Sequence, residues 1–386
     1  GTDNVTFGTA IPGVGVTVVG GIGADTVALA NGGNTITVDD ATVSVTGGTG
    51  VDAITFSQAL TAATVVGGAS TDTITLANVA NTLSVNDADV SITGGTSDDA
   101  ITFVTTALTS VTVNGGTGSD SVILPNTVNT AQFTSVETVT ATGTSSTGSA
   151  FTVVNASTDE TTINVGTGVY TVTSNGAGTG STYVNANAVT TKIDGSASTK
   201  PLNITGNALT STIIGGSGAD VITAGNVADT ITGGGGADTI VLGTGVADVL
   251  KLSFTADSLS TAYDVVKNFV KASDTIDLSS MMIGSSGSTD ASVAVAANVT
   301  AVAGTTNGIA TGLFTFDKAA ATSLTDAISK VGTDVHTAGK AVVFNYGGDA
   351  YVFVDKDGAT TTTDDVVIKL VGVTAASIAD ATEVLT

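Results

Sequence analysis

Residues 214–248 read IGGSGADVITAGNVADTITGGGGADTIVLGTGVAD. Asp220, Asp229 and Asp238 fall nine residues apart, and Asp248 follows ten further on. Each ends a turn of small residues and leads into a short β-branched or apolar stretch such as DTIVL. Short strands alternating with tight turns at a fixed spacing describe a chain that coils upon itself. Two turn–strand units make one coil, and stacked coils bury one continuous core that no single coil could close. Asp220 is then expected above Asp238 on one edge, and Asp229 near Asp248 on the other.

The same turn recurs upstream. A glycine pair followed four residues later by aspartate occurs seven times, ending at Asp25, Asp52, Asp72, Asp99, Asp120, Asp220 and Asp238. Two of these, GGASTD and GGTSDD, lack the fourth-position glycine. A longer repeat governs the first 120 residues: NTITVDDATVSVTGGTGVDAITF from Asn34 matches NTLSVNDADVSITGGTSDDAITF from Asn81 at an offset of 47. Its strands are expected at Thr26–Leu29, Thr35–Val38, Thr42–Val45, Ala53–Phe56 and Thr64–Val66, alternating in polarity as half-buried strands do. Asp3–Phe7 looks like the tail of an earlier copy and the chain does not begin with Met, so it is expected to be part of a longer one.

The sequence divides into four stretches. Residues 1–120 are read as a β-solenoid of 47-residue repeats with calcium turns, built for extended surface. Residues 121–214 are read as its continuation without clear calcium motifs, and 215–250 as a nonapeptide roll. From 251 to 386 the texture changes. There a helix at Ser323–Val331, a hairpin at Lys340–Asp355 and a strand at Asp365–Gly372 are expected, forming a β-rich cap over the open end of the roll.

Composition supports many short strands and few large side chains. The chain has 49 Gly, three Pro, no Trp or Cys and 4% aromatic residues, so Val, Ile, Leu, Ala and Thr methyls must fill the core. Ten basic against 34 acidic residues give a formal net charge of −24. Such self-repulsion opposes compaction unless cations neutralise it, and it argues against nucleic acid and anionic membranes as partners. No stretch of about 18 uninterrupted apolar residues exists, so no membrane insertion by a helix is expected.

Calcium suits these turns because it accepts six to eight hard oxygens with tolerant geometry. Glycine lets the turn bend with its carbonyls inward, including where φ is positive. The aspartate adds a carboxylate, and the next coil repeats the set from the other side. The candidate ligands are therefore Asp25, Asp52, Asp72, Asp99 and Asp120, together with Gly215, Gly218, Asp220, Asp229, Gly233, Gly236, Asp238 and Asp248. One such turn would be unremarkable surface; seven copies and a nine-residue array are a pattern. Asp355-Lys356-Asp357-Gly358 resembles the start of an EF-hand loop but has no Glu at the twelfth position, and is read as a hairpin turn. His336 is the single histidine, and HExxH, GxSxG and GxxxxGK[ST] are all absent, so no enzymatic activity is expected.

Residues Gly215–Ser280 resemble RTX proteins, those carrying hemolysin-type calcium-binding repeats and exported by type I secretion systems. DVVKNFVKASDTIDLSS (Asp264–Ser280) is similar to the segment after the β-roll in serralysin-type proteases, which implies Asp264 as a calcium ligand; Asn268 stands where that family has a second Asp. DDVVIKLVGVTAASIADATEVLT, the ending, resembles that of RTX-type bacterial surface-layer proteins. The resemblance implies an all-β, right-handed parallel β-solenoid, an uncleaved secretion signal, several bound Ca2+ ions and secretion to the cell surface. It further implies self-assembly into a two-dimensional lattice, anchored to lipopolysaccharide by an upstream region. An RTX adhesin, or the secretion and folding module of an RTX exoenzyme, are the alternatives.

Overall fold

The computed structural model describes residues 1–13, 15–104, 107–125, 127, 129–154, 160–175, 177, 179–186, 190–252, 258, 261–277, 299–306, 309–316, 323–334, 341–359 and 365–374. Strands hold 51% of the residues and helix 3%, so the fold is all-β. The chain forms two compact units, Gly1–Ile193 and Asp194–Thr386.

From Asn4–Thr6 to Ser121–Ile123 each strand pairs in parallel with the next but one, so two parallel sheets grow side by side. One contains Thr35–Asp39, Ala53–Phe56, Asp72–Thr75 and Val90–Gly95; the other contains Asp25–Ala28, Val43–Thr46, Ala63–Val66, Asn81–Asn86 and Asp99–Phe103. This is a parallel β-solenoid with two strands per coil. Successive side chains of a strand point to opposite faces, so alternate residues enter the core. Inward residues stack on their own kind: Ile36, Ile54, Ile74 and Ile92 form one column, and Val27, Val45, Val65 and Val85 the facing one. None of the eight is more than 2% exposed. The small aromatic content is thereby explained, because a thin two-sheet core has room for β-branched residues and few rings.

The 47-residue repeat is not a wider coil. Thr35 lies beside Ala53 and Ala53 beside Thr73, steps of 18 and 20 residues that are close to the 18 of the nonapeptide array. Asp25–Ala28 through Ala63–Val66 are five strands, and Asp72–Thr75 opens the next copy. Five is odd and strands alternate between sheets, so each copy starts on the opposite sheet from the last. Val27 and its counterpart Ile74 accordingly sit in facing columns.

Beyond Asp120 two turns straighten. Thr138–Val154 and Thr161–Asn175 each run through both sheets, pairing with each other along most of their length. The first half of Thr138–Val154 pairs with Ser121–Ile123 and the second with Asn129–Thr134. Phe133, Phe151 and Tyr170 stack inside, with ring centroids 6.1 and 5.9 Å apart.

The second unit opens with the tightest coils. Asn203, Val221 and Thr239 are in register, as are Thr212 and Thr230, while Ile204, Ile222 and Ile240 stack within. The next strands, Asp264–Lys267 and Thr275–Asp277, arrive after longer connections. Val366–Leu370 then pairs in parallel with Asp264–Lys267 and antiparallel with Asp349–Val354, the second strand of a hairpin with Ala341–Tyr346. The helix Leu324–Asp334 starts at Ser323, whose hydroxyl accepts the Asp326 N–H, and packs Ala327, Ile328 and Val331 on Phe344, Tyr351, Phe353 and Val367. The added strand covers an edge that would otherwise offer unpaired backbone groups. His336 and residues 278–280 and 375–386, which include the expected secretion signal, lie outside the described residues. Among the described residues no helix is long and apolar enough to cross a membrane.

Candidate metal centre

Each turn aspartate stands where a coil's turn becomes a strand, and its side chain points inward. Asp25, Asp52, Asp72, Asp99, Asp120, Asp220, Asp229, Asp238, Asp248 and Asp264 are all at most 4% exposed. Their Oδ1 atoms build ladders from coil to coil. The N–H of Asp220 donates to Asp238 Oδ1 at 2.7 Å, and that of Asp238 to Asp264 Oδ1 at 2.8 Å. On the other edge the N–H of Asp229 donates to Asp248 at 2.9 Å, and that of Asp248 to Asp274 at 3.2 Å. In the first unit Asn34, Asp52 and Asp72 form one ladder, and Asn81, Asp99, Asp120 and Glu137 another.

The second oxygen divides the glycine turns into two kinds. Asp52, Asp99 and Asp220 each receive the N–H of their own second glycine, Gly48, Gly95 and Gly216, on Oδ2. In the turns ending at Asp25, Asp72, Asp120 and Asp238 the second glycine has positive φ instead (98° at Gly21, 115° at Gly68, 101° at both Gly116 and Gly234). Among the described residues, the buried Oδ2 atoms of Asp25, Asp72 and Asp120 have no hydrogen-bond partner. A left-handed glycine rotates its peptide and withdraws the donor from the carboxylate.

Crowding supplies a second reason for glycine. A Cβ on Gly215 would fall on the Gly233 carbonyl oxygen and on Asp220 Oδ2, and one on Gly218 would meet the Lys200 carbonyl carbon at 2.6 Å. Gly236 combines close stacking on Gly218 with a φ of 116°. Gly215 and Gly218 are therefore required by close approach rather than by positive φ, which corrects the reason inferred from sequence. At Gly47, Gly94 and Gly215 the spot that a Cβ would occupy is flanked by the turn's own carboxylate and the carbonyl of the next coil's first glycine.

Burial raises these carboxyl groups above their ordinary range. Desolvation pushes Asp72 up to about 7, reinforced by the charges of Asp87 and Asp52 and opposed by the Asp52 N–H. Asp120 rises to about 6 by burial, against the Asp99 N–H and aided by Glu137 and Asp99. Asp220 rises to about 6 by burial alone, against the N–H groups of Leu202 and Gly216. Asp99, Asp229 and Asp248 are raised for the same first cause.

Hard carboxylate and carbonyl oxygens without nitrogen or sulfur donors suit calcium. The partnerless inward Oδ2 atoms are where the residues present fit such an ion. Asp229 belongs to its ladder as fully as its neighbours, its Oδ2 taking the Gly225 N–H at 3.0 Å despite the GNVAD turn. Asp274 was not foreseen: it closes the Lys271–Asp274 turn by accepting the Val270 N–H at 2.7 Å, and its only sequence signal is that it follows Asp248 as Asp264 follows Asp238. Asp355, Asp357 and Asp365 bring carboxylate oxygens within 4.8 Å of one another in the second unit, a grouping hidden from a sequence reading that stopped at the Asp355–Gly358 turn. Asp355 Oδ1 there accepts the N–H groups of Asp357 and Gly358, and Asp365 Oδ1 that of Lys356.

Residues 190–307 match the family model described as Peptidase M10 serralysin C terminal. The matched span includes the whole nonapeptide array and supports an RTX-type repeat protein. No curated protein matches the chain significantly.

Proposed function

We propose that this chain is a structural surface-layer protein that folds on binding calcium outside the cell and assembles there into a two-dimensional lattice. The observation that carries the calcium part is the contrast between Asp and Asn in one ladder. Asn34 and Asn81 fill ladder positions without charge, accepting or donating across coils and tying Nδ2 to carbonyls of their own turns. The ladder alone therefore needs no carboxylate. Yet all seven turns of the GG…D pattern bury their aspartate, and burying an uncompensated charge is costly.

Asp25, Asp72, Asp120, Asp220 and Asp238 would hold calcium together with their turn glycines, and Asp264 at the end of the array. The ion supplies positive charge that cancels carboxylate repulsion, so its binding free energy becomes folding free energy. Extracellular calcium modules work at roughly 10⁻⁴–10⁻³ M, far above cytosolic supply, so the chain would stay unfolded for export and fold outside.

Export by a type I system is supported by the serralysin-type match. The lattice role is supported by a repeat that returns on the opposite sheet with each copy, presenting related surfaces on both. Electron microscopy of the purified protein with calcium should show ordered sheets; dispersed monomers under all calcium conditions would remove the lattice role. The match over 190–307 favours a second reading, the export and folding module of an exoenzyme, and peptide hydrolysis by the whole natural protein would support it.

A further inference from the structure

Gly20 and Gly67 occupy the same place in successive 47-residue copies, and both begin turns of the left-handed kind. At Gly20 the next coil contributes Asp40, and at Gly67 it contributes Asp87. A Cβ on Gly20 would lie within 3.0 Å of both Asp25 Oδ2 and Asp40 Oδ2; one on Gly67 would lie as close to Asp72 Oδ2 and Asp87 Oδ2. At Gly47, Gly94 and Gly215 that position faces a neutral carbonyl. Here it faces a second carboxylate.

All four aspartates are at most 4% exposed, and among the described residues none of their Oδ2 atoms has a hydrogen-bond partner. Their Oδ1 atoms are committed. Asp25 takes the Asp3 N–H at 2.7 Å, Asp40 the Thr42 N–H at 2.9 Å, Asp72 the Asp52 N–H at 2.8 Å and Asp87 the Asp89 N–H at 2.9 Å. Each carboxylate is thus fixed by one oxygen and aims the other at a shared point. The second pair has an extra neighbour, Asp89, whose Oδ2 accepts the Thr71 hydroxyl at 2.9 Å and whose buried Oδ1 is also partnerless.

Two buried carboxylates facing one another repel unless a cation or a proton lies between them. We propose that Asp40 and Asp87, which lie outside the glycine-rich turns, complete two equivalent divalent-cation sites with Asp25 and Asp72. The hard-oxygen donor set selects calcium over softer metals. A turn facing a carbonyl needs one compensating charge, whereas these turns match both charges of the ion. The proposal rests on the calcium reading of the turns and adds ligands that the motif does not contain.

The test counts calcium ions per full-length chain, by native mass spectrometry at saturating calcium, for wild type, Asp40→Asn, Asp87→Asn and the double variant. Asparagine keeps the Oδ1 acceptor, as Asn34 and Asn81 do in their ladders. Each single substitution should lose one ion and the double variant two. Should the double variant fail to fold, the single variants decide, because each leaves the other site intact. A wild-type chain that binds calcium with the count unchanged in both single variants overturns the paired sites and assigns a shared proton instead. A wild-type chain that takes up no calcium overturns the reading of the turns and this proposal with it.

Discussion

A carboxylate turned inward at the mouth of a strand does two separable things. Through Oδ1 it stitches one coil to the next, a service that Asn34 and Asn81 also perform. Through Oδ2 it takes the N–H of its own turn at Asp52, Asp99 and Asp220, and has no such donor at Asp25, Asp72 and Asp120. The raised values at Asp72 (about 7), Asp120 (about 6) and Asp220 (about 6) fix how the metal-free chain responds to pH. A carboxyl raised on folding contributes stability while protonated, below its unfolded value, and loses it as pH rises through the folded value. For the metal-free chain, far-ultraviolet β-structure should therefore be lost as pH rises from about 4 to about 7. With calcium the trend should reverse, because protons then compete with the ion. Metal-free β-structure that is unchanged or rises over that window would contradict the assignment of these groups. The turn aspartates were legible from spacing alone. Asp40 and Asp87 were not, because nothing in their local sequence marks them and only stacking of coils brings them to a turn. Asp274 closes its own turn and is marked only by its spacing from Asp248.

Single strands here are three to six residues long for the most part and have no stability of their own; the unit that matters is the column. Ile204, Ile222, Ile240 and Val266 form one such column, each fully or almost fully buried. Ile240→Ala should cost about 2–5 kcal/mol, since stacked coils on both sides prevent the cavity from collapsing. Urea unfolding at saturating calcium measures this, and a loss below about 1 kcal/mol would show a looser core than the columns imply. Strand positions were readable because alternation of Thr with Val or Ile marks the inward face. Ala53–Phe56 lies where expected, Thr35–Asp39 and Ala63–Val66 differ by a residue at one end, and Asp25–Ala28 and Val43–Thr46 are shifted by one residue. The coil was not readable from the 47-residue repeat, which looked like a broader unit. Sequence similarity reports the period of duplication, whereas sheet pairing reports the period of the coil, and with five strands per copy the two differ. The straight run through Thr138–Val154 and Thr161–Asn175 was invisible for a related reason: its Thr/Val texture resembles strands separated by turns, and pairing to the neighbouring coil decides that the turns are absent.

For the molecule as a whole, the governing quantity is a net charge of −24 on a chain whose core is thin and poor in aromatics. Hydrophobic columns hold each coil to the next, yet they stack buried carboxylates along the turns as they do so. Compaction and charge repulsion therefore rise together, so under the proposed function the chain would fold only where cations are abundant. That coupling would let one sequence pass unfolded through an export channel and become rigid outside. The most direct test is far-ultraviolet circular dichroism of the purified chain in excess EGTA, followed by calcium titration to the millimolar range. Loss of β-structure in chelator with cooperative recovery on adding calcium is the predicted result; full β-structure retained in excess EGTA would contradict it.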